Sequence, residues 1–277
     1  MKKTIFITGS TDGIGKLAAI KLAAEGHEIY LHGRNAQKLE AVIAEVKAAS
    51  NNEAIKGFTT DLSDFQAVRQ LAQQINQALP KLDVLINNAG VYKSAVSHTP
   101  AGLDLRMVVN YLAPYLLTKD LIPLLRKGTA PRIINLSSAA QSAVSHDVLQ
   151  GTESRSESET YAQSKLALTM WSFHLAKKIP DIAVIAVNPG SLLNTNMVKE
   201  AYGKFWSSAD KGANILYDLA VLDKYGGITE KYFDNDQGNF GRAHPQAYNL
   251  AAIEKLISAT EAIFDNHQLK PKENNHE

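Results

Sequence analysis

Residues 4–24 read TIFITGSTDGIGKLAAIKLAA, and this stretch decides the fold. The run 4–8 is β-branched and aromatic, which is typical of a strand buried on both faces. A glycine-rich turn follows, and residues 16–24 carry a helical pattern that Gly26 ends. Strand, glycine turn and helix in this order form the context that a dinucleotide-binding fingerprint requires.

The glycines of this turn permit a tight bend and let backbone N–H groups approach a pyrophosphate closely. The helix N-terminus adds a partial positive charge. The spacing is G-x-x-x-G-x-G, which differs from the usual G-x-G-x-x-G. A glycine loop alone also has a purely structural explanation, but this context favours nucleotide binding. The predicted contacts are Gly9, Ser10, Asp12, Gly13, Ile14 and Gly15.

The second predicted strand, residues 28–32, ends in Gly33-Arg34-Asn35. At this point an NAD-binding protein usually offers an acidic residue to the ribose hydroxyls, whereas an arginine accommodates a 2′-phosphate. No Asp or Glu is present here, and the forked donors of Arg34 suit a phosphate. We therefore predict NADP(H), with NADPH as the reduced form, over NAD(H). The alternative is that Arg34 only caps a solvated loop.

Strands and helices alternate through the rest of the chain. Further strands are expected over 54–60, 82–86, 132–136, 182–187 and 231–233, the last of them being the final strand. Helices are expected over 36–49, 65–79, 103–125, 161–177, 211–222 and 249–263. This alternation predicts an α/β fold, a Rossmann-type doubly wound parallel sheet in three α/β/α layers. Right-handed crossovers would gather the strand-end loops on one edge, where ligands bind. These loops carry Arg34, Asp61, Asn88, Ser138 and Pro189-Gly190.

Tyr161 and Lys165 are four residues apart, so they lie on the same face of a predicted helix. A free tyrosine has a pKa of about 10, and a nearby cation lowers that value. Tyr161 beside Lys165 is therefore a candidate proton donor and acceptor near neutral pH. The alternative is that this spacing arises by chance and that Tyr161 is only a surface tyrosine beside a solvated lysine.

Composition excludes several classes of protein. The 277 residues carry 29 basic and 28 acidic side chains, so charge gives no reason to expect nucleic acid as a partner. The absence of cysteine excludes disulfides, thiolate metal sites and cysteine nucleophiles. The eight histidines show no ligand spacing, and we predict no metal site. No signal peptide or membrane-spanning run is apparent, so a cytoplasmic protein is expected.

We expect one domain over 1–264, variable around 192–245, and a polar tail over 265–277.

Taken together, these motifs resemble those of the classical short-chain dehydrogenase/reductase family. The matching positions follow the family's order and cover residues 1 to about 200. They are Thr8-Gly9-x-x-x-Gly13-Ile14-Gly15, Asn87-Asn88-Ala89-Gly90, Asn110, Ser138, Tyr161-x-x-x-Lys165 and Pro189-Gly190.

The resemblance implies a role for each matched position. Tyr161 would exchange a proton with the substrate oxygen, and Ser138 would hold that oxygen. Lys165 would hold the nicotinamide ribose and lower the pKa of Tyr161, while Asn110 would hold a water that links Lys165 to solvent. The implied cofactor contacts also include Asp61, Leu62, Asn88, Ala89, Gly90, Pro189 and Gly190.

Three features depart from the family's usual pattern. Ser138 and Tyr161 are 161 − 138 = 23 positions apart, which is longer than usual, and the extra stretch is 146–160. A similar lengthening occurs in the retinol-dehydrogenase-like and protochlorophyllide-reductase-like branches of the family, which implies a subgroup near these. Gln141 stands where glycine is usual, and Thr195 is displaced by one residue.

The sequence thus predicts an NADP(H)-dependent oxidoreductase that moves a hydride between the nicotinamide and a carbonyl or an alcohol. Two alternatives stay open: an NAD-dependent alcohol dehydrogenase, and a non-catalytic dinucleotide-binding redox sensor. The expected partners are a small-molecule substrate and, by family habit, further copies of the chain in a dimer or tetramer. The sequence does not identify the substrate.

Overall fold

A computed structural model describes residues 1–267 and contains one eight-stranded sheet in the order β3-β2-β1-β4-β5-β6-β7-β8. The first seven strands are parallel, and β8 pairs with β7 in the antiparallel sense. The strands are β1 Thr4–Ile7, β2 Glu28–Gly33, β3 Ile55–Thr59, β4 Val84–Asn87, β5 Arg132–Leu136, β6 Ala183–Asn188, β7 Lys231–Asp234 and β8 Asn239–Gly241.

Helices cover both faces of the sheet. The α-helices are α1 Gly13–Ala24, α2 Ala36–Ser50, α3 Phe65–Ala78, α4 Leu105–Met107, α5 Ala113–Leu125, α6 His146–Leu149, α7 Glu157–Lys178, α8 Asn196–Tyr202, α9 Ala209–Val221 and α10 Leu250–Asn266. A π-helical turn, Val108–Leu112, joins α4 to α5, and short 3₁₀ turns cover Asp223–Tyr225 and Pro245–Tyr248. Helices α1, α2 and α9 pack on one face of the sheet, and α3, α5, α7 and α10 pack on the other. The predicted three-layer doubly wound fold is therefore confirmed.

Local chemistry explains where several helices begin. Asp64 caps α3 by accepting hydrogen bonds from the backbone N–H groups of Gln66 and Ala67. Ser156 and Glu159 form a capping box at the start of α7. Helix α7 therefore begins at Glu157, four residues before the predicted start.

Two further boundaries differ from prediction. The expected helix 103–125 is divided by the π-helical turn, so Asn110 does not lie in a regular α-helix. The predicted final strand is β7, but residues 239–241 turn back and add β8 to the edge. The stretch 146–160 forms α6, a turn and the first residues of α7.

The C-terminal helix extends further than expected. Asn249 caps α10 through the backbone N–H of Ala252, and the helix continues to Asn266. The first two residues of the predicted tail 265–277 thus belong to α10, and residues 268–277 lie outside the described part. Over residues 1–267, no helix combines the length and the apolar character that crossing a bilayer requires.

Candidate active site

A cleft of about 450 Å³ opens at the carboxyl ends of the parallel strands. It lies where the strand order reverses between β1 and β4, which is where ligands bind in doubly wound sheets. Sixteen of the eighteen predicted site residues line it: Gly9, Asp12, Gly13, Ile14, Gly15, Arg34, Asp61, Leu62, Asn88, Ala89, Gly90, Ser138, Tyr161, Lys165, Pro189 and Gly190.

The glycine loop is held close to the end of β4. Gly9 has a φ of +62°, and a Cβ added there would lie 2.7 Å from Ala89 Cα. The Nδ2 group of Asn88 donates to the carbonyl oxygens of Thr8 and Gly9, both at 2.8 Å. Asp12 caps α1 by accepting from Gly13 N at 2.7 Å. The other first-turn N–H groups of α1 have no partner within the helix, so they can bind an anion in the cleft.

Ser10 differs from its prediction, because it does not line the cleft. Its side chain is fully buried, and its Oγ donates to the Ile7 carbonyl at 2.9 Å. The same Oγ accepts from His32 N, while Ser10 N donates to the His32 carbonyl. Ser10 therefore supports the loop from beneath and offers no side-chain contact to a ligand.

Sequence analysis overlooked His32, which reaches the cleft from β2. Its side chain is buried; its Nδ1 accepts from Gly9 N at 3.1 Å, and its Nε2 lies 3.0 Å from the Thr60 carbonyl oxygen. Burial lowers the pKa of His32 to about 4, so the ring is neutral at pH 7. In the sequence, the histidines were considered only as metal ligands, and ligand spacing gives no indication of the structural role of His32.

The end of the cleft beside β2 is basic. Arg34 is exposed there, and Lys38 lies one helical turn further along, in the first turn of α2. Lys38 Nζ lies 3.2 Å from Asp12 Oδ2 in an exposed ion pair. Sequence analysis did not select Lys38, although a basic residue four positions after Arg34 could have been noticed. It also did not select Thr11, which lines the same cleft.

Ser138, Tyr161 and Lys165 meet at the other end of the cleft. Tyr161 and Lys165 project from α7, and Ser138 follows β5. Ser138 lies near enough to Tyr161 to lower the pKa of the phenol. Lys165 Nζ donates to the Leu136 carbonyl at 2.7 Å and lies 5.6 Å from the centre of the Tyr161 ring.

The electrostatics of this pair differ from the expectation. Burial raises the pKa of Tyr161 to about 12, and the neighbouring Ser138 side chain acts against that rise. Burial lowers the pKa of Lys165 to about 8. The ammonium group donates to a carbonyl and not to the phenol, and burial is the main cause that acts on the pKa of Tyr161.

Asn110 is buried behind the cleft and does not line it. Its Oδ1 accepts from Val91 N at 2.7 Å, and its Nδ2 donates to the Val91 carbonyl and to Ser164 Oγ, both at 3.0 Å. Both N–H groups of its amide and one lone pair of its Oδ1 therefore hold the loop after β4 against α7. Pro114 lacks an N–H, so it cannot bond the Asn110 carbonyl as residue i+4 of a helix would.

Gln141 supports Ser138 in place of the usual glycine. Its Nε2 donates to the Ser138 carbonyl at 2.9 Å, and its Oε1 accepts from His244 N at 3.0 Å. The hydroxyl of Tyr232 also donates to the Ser138 carbonyl, at 3.0 Å. Thr195 lines the cleft and caps α8 by accepting from Val198 N.

The doubly wound sheet and the cleft beside its glycine loop are typical of dinucleotide-binding α/β proteins. The family model described as short chain dehydrogenase matches residues 3–204, and the chain belongs to that family of oxidoreductases.

Similar proteins agree with the branch that the sequence suggests. The chain is 31% identical to retinol dehydrogenase 12 of Mus musculus over 84% of this chain and 78% of the relative. It is 32% identical to polyprenol dehydrogenase of Homo sapiens over 85% of this chain and 77% of that protein. The prediction of a classical member near the retinol-dehydrogenase-like branch is confirmed.

Solved structures share the fold. A protein from Escherichia coli CFT073, crystallised with NADPH, is 28% identical with a TM-score of 0.70, covering 84% of this chain and 96% of the other. A protein from Shigella flexneri 2a, crystallised with NADP, is 28% identical with a TM-score of 0.68, covering 84% of this chain and 97% of the other.

Proposed function

We propose that this protein is an NADP(H)-dependent reductase of aldehydes or ketones, with Tyr161 as the proton donor. The observation that carries the proposal is the meeting of Ser138, Tyr161 and Lys165 in the same cleft as the glycine loop and Arg34. A module that only binds a dinucleotide needs no hydroxyl pair at the far end of its cleft.

The residues of the cleft fit NADP(H). The first turn of α1 offers backbone donors to a pyrophosphate, and Asp61 and Leu62 follow β3, where the adenine would lie. Arg34 and Lys38 supply positive charge beside β2, where no acidic side chain follows the strand. Two cations suit a 2′-phosphate better than they suit free ribose hydroxyls.

NADPH, when bound, supplies a hydride to the carbonyl carbon. The carbonyl oxygen then gains negative charge and needs a proton. Ser138 and Tyr161 are neighbours in the cleft lining, so both hydroxyls can reach one substrate oxygen atom. Tyr161 gives up its proton to that oxygen, and Ser138 holds the oxygen in place by a hydrogen bond.

The protonation state of Tyr161 favours reduction. With its pKa raised to about 12, the phenol is protonated at pH 7 and is ready to donate. Lys165 would contact the nicotinamide ribose and carry positive charge below a pH of about 8. A water that links Lys165 to solvent would have to donate to an oxygen of Asn110, because both N–H groups of its side-chain amide are already bonded.

The first experiment is a titration with NADPH and with NADH, followed by nucleotide fluorescence. Arg34→Ala is expected to weaken NADPH binding by about 10- to 100-fold, because a charge-assisted hydrogen bond is lost. NADH binding should change little. Arg126→Ala, an exposed arginine outside the cleft, is the matched control. Equal weakening of both nucleotides by Arg34→Ala would contradict the assignment to NADP(H).

The second experiment measures NADPH oxidation with a panel of aldehydes and ketones. Tyr161→Phe should lower kcat by about 10²- to 10⁴-fold, since general acid catalysis is lost, while NADPH binding persists. Tyr217→Phe, on α9 and outside the cleft, is the matched control. Unchanged turnover in Tyr161→Phe would refute the proposed role of the tyrosine.

The same panel separates the alternatives. Tight nucleotide binding without turnover would favour a redox sensor, and preferential NADH binding would favour an NAD-dependent alcohol dehydrogenase. Action in the cytoplasm, on its reduced NADPH pool, and assembly into a dimer or tetramer stay predictions, as does the single-domain organisation of residues 1–264.

A further inference from the structure

Three tyrosine rings contact one another in a row that begins at the proposed proton donor; Tyr161 and Tyr92 line the cleft, and Tyr202 packs on Tyr92. The ring centre of Tyr92 lies 4.8 Å from that of Tyr161, with the planes at 55°. The ring centre of Tyr202 lies 5.5 Å from that of Tyr92, with the planes at 52°. The loop after β4 and the last residue of α8 thus cover the tyrosine of α7.

Tyr92 is held rigidly. Its side chain is only 9% exposed, and its carbonyl accepts from Arg106 Nη1 at 3.3 Å. Arg106 is itself buried and pairs with Asp104 at 2.8 Å and with Glu157 at 3.4 Å. Glu157 lies one turn before Tyr161 on α7. The contacts of Arg106 with the Tyr92 carbonyl and with Glu157 therefore hold the backbone at Tyr92 against the start of α7.

Tyr202 is held more lightly. Its side chain is 50% exposed at the end of α8, which Gly203 terminates with a φ of +68°. Its ring contacts the ring of Tyr92. One fixed ring and one exposed ring therefore stand beside the reacting hydroxyl.

The surroundings favour an apolar, flat substrate. Leu105, Val109, Met197 and Val198 line the cleft with apolar side chains. Aromatic rings attract one another in tilted and offset arrangements beyond what their buried area provides. A saturated group of the same size would gain the buried area but not the ring–ring attraction.

We propose that Tyr92 and Tyr202 form an aromatic clamp that selects aryl aldehydes and aryl ketones, in which the ring adjoins the carbonyl group. This inference rests on the proposed reduction at Tyr161. The aryl ring lies against the two tyrosines while its carbonyl oxygen reaches Tyr161 and Ser138. The clamp fixes the body of the substrate and takes no part in the proton transfer.

The test compares acetophenone with cyclohexyl methyl ketone, which have the same carbon skeleton and differ in the planarity of the ring. Their dissociation constants are measured by calorimetry on the protein saturated with NADP⁺, so that no turnover occurs, and again on the protein alone. The wild-type protein should prefer acetophenone by about three- to tenfold. Tyr202→Leu should bring this ratio close to one, and Tyr202→Phe should preserve it.

Trp206→Leu provides the matched control. Trp206 is 74% exposed in the same segment but makes no ring contact with Tyr92 or Tyr161 within the described structure, so its variant should keep the preference. A wild-type ratio near one, an unchanged ratio in Tyr202→Leu, or no binding of acetophenone overturns the clamp. Preferential acetophenone binding without NADPH oxidation by any carbonyl would instead support the clamp and refute the reductase assignment.

Discussion

Acidification from pH 7 to pH 5 should lower the free energy of unfolding, because His32 holds the glycine loop only while its imidazole is neutral and the folded state therefore resists its protonation. The Nδ1 atom accepts from Gly9 N at 3.1 Å, and Nε2 lies 3.0 Å from the Thr60 carbonyl oxygen. A carbonyl can only accept, so Nε2 carries the proton and Nδ1 has the free lone pair. A second proton on Nδ1 would face the Gly9 N–H and break that bond.

The magnitude follows from the pKa of His32. Burial is the main cause that lowers this pKa from 6.5 to about 4; the bond to Thr60 and the charge of Asp61 act upward, and Arg34 acts downward. Between these two values the unfolded chain binds the proton more tightly than the folded chain does. Stability therefore falls as the pH drops through this window. Between pH 7 and pH 5 the loss is about 2 kcal/mol.

The assay is urea unfolding of the wild-type protein and of His32→Asn across pH 5 to 7. Asparagine keeps an oxygen that can accept from Gly9 N but does not titrate in this range. The wild-type protein should lose about 2 kcal/mol more than the variant does, since all other titrating groups are shared. Parallel curves for the two proteins would refute the reasoning.

A second pair of variants separates the support of the loop from general stability. His32→Leu removes the acceptor for Gly9 N and should weaken NADPH binding as well as the fold. His27→Leu is the matched control, because His27 accepts a similar bond from Lys3 N, at 3.1 Å, on the opposite edge of the sheet. Its variant should lose stability without losing affinity for NADPH.

Three further predictions concern packing and caps. Arg106→Leu should lower the free energy of unfolding by about 3–5 kcal/mol in urea, because it leaves a buried carboxylate unpaired; a loss below about 1 kcal/mol would contradict this. Ser156→Ala should cost about 1 kcal/mol in the same assay, since it removes the cap of α7, and an unchanged midpoint would show that the cap is dispensable. Gly9→Ala should destabilise more than Gly26→Ala, because both glycines have positive φ but only the first would press a Cβ against Ala89, at 2.7 Å; equal losses would show that backbone strain alone matters.

The sequence predicted the sheet and the position of the cleft because both depend on local patterns. The central parallel strands are short, mostly apolar runs, and polar or glycine residues stand at their carboxyl ends, which the topology brings to one edge of the sheet. The cap by Asp64 follows from the same kind of local signal. The start of α7 was also within reach, since Ser156 and Glu159 have the spacing of a capping box.

The features that the sequence did not predict depend on contacts between segments that are distant in the chain. Nothing near Arg106 in the sequence indicates that it is buried, because its partners include Glu157, 51 positions away. The meeting of Tyr92 with Tyr202 depends on how the loop after β4 and helix α8 approach each other. The role of His32 is equally hidden, since it depends on Gly9 and Thr60 from two other loops.

The π-helical turn shows how a local irregularity serves the site. A regular helix over 103–125 would be favoured by its apolar periodicity, but Pro114 cannot donate a backbone hydrogen bond. The turn Val108–Leu112 accommodates the missing bond and places Asn110 where its amide binds both Val91 and Ser164. Since Ser164 lies between Tyr161 and Lys165, Asn110 joins the loop after β4 to the helix that carries both proposed catalytic side chains. Asn110→Ala should therefore lower kcat and loosen both segments together, whereas a residue that only held a water would affect the pH profile alone.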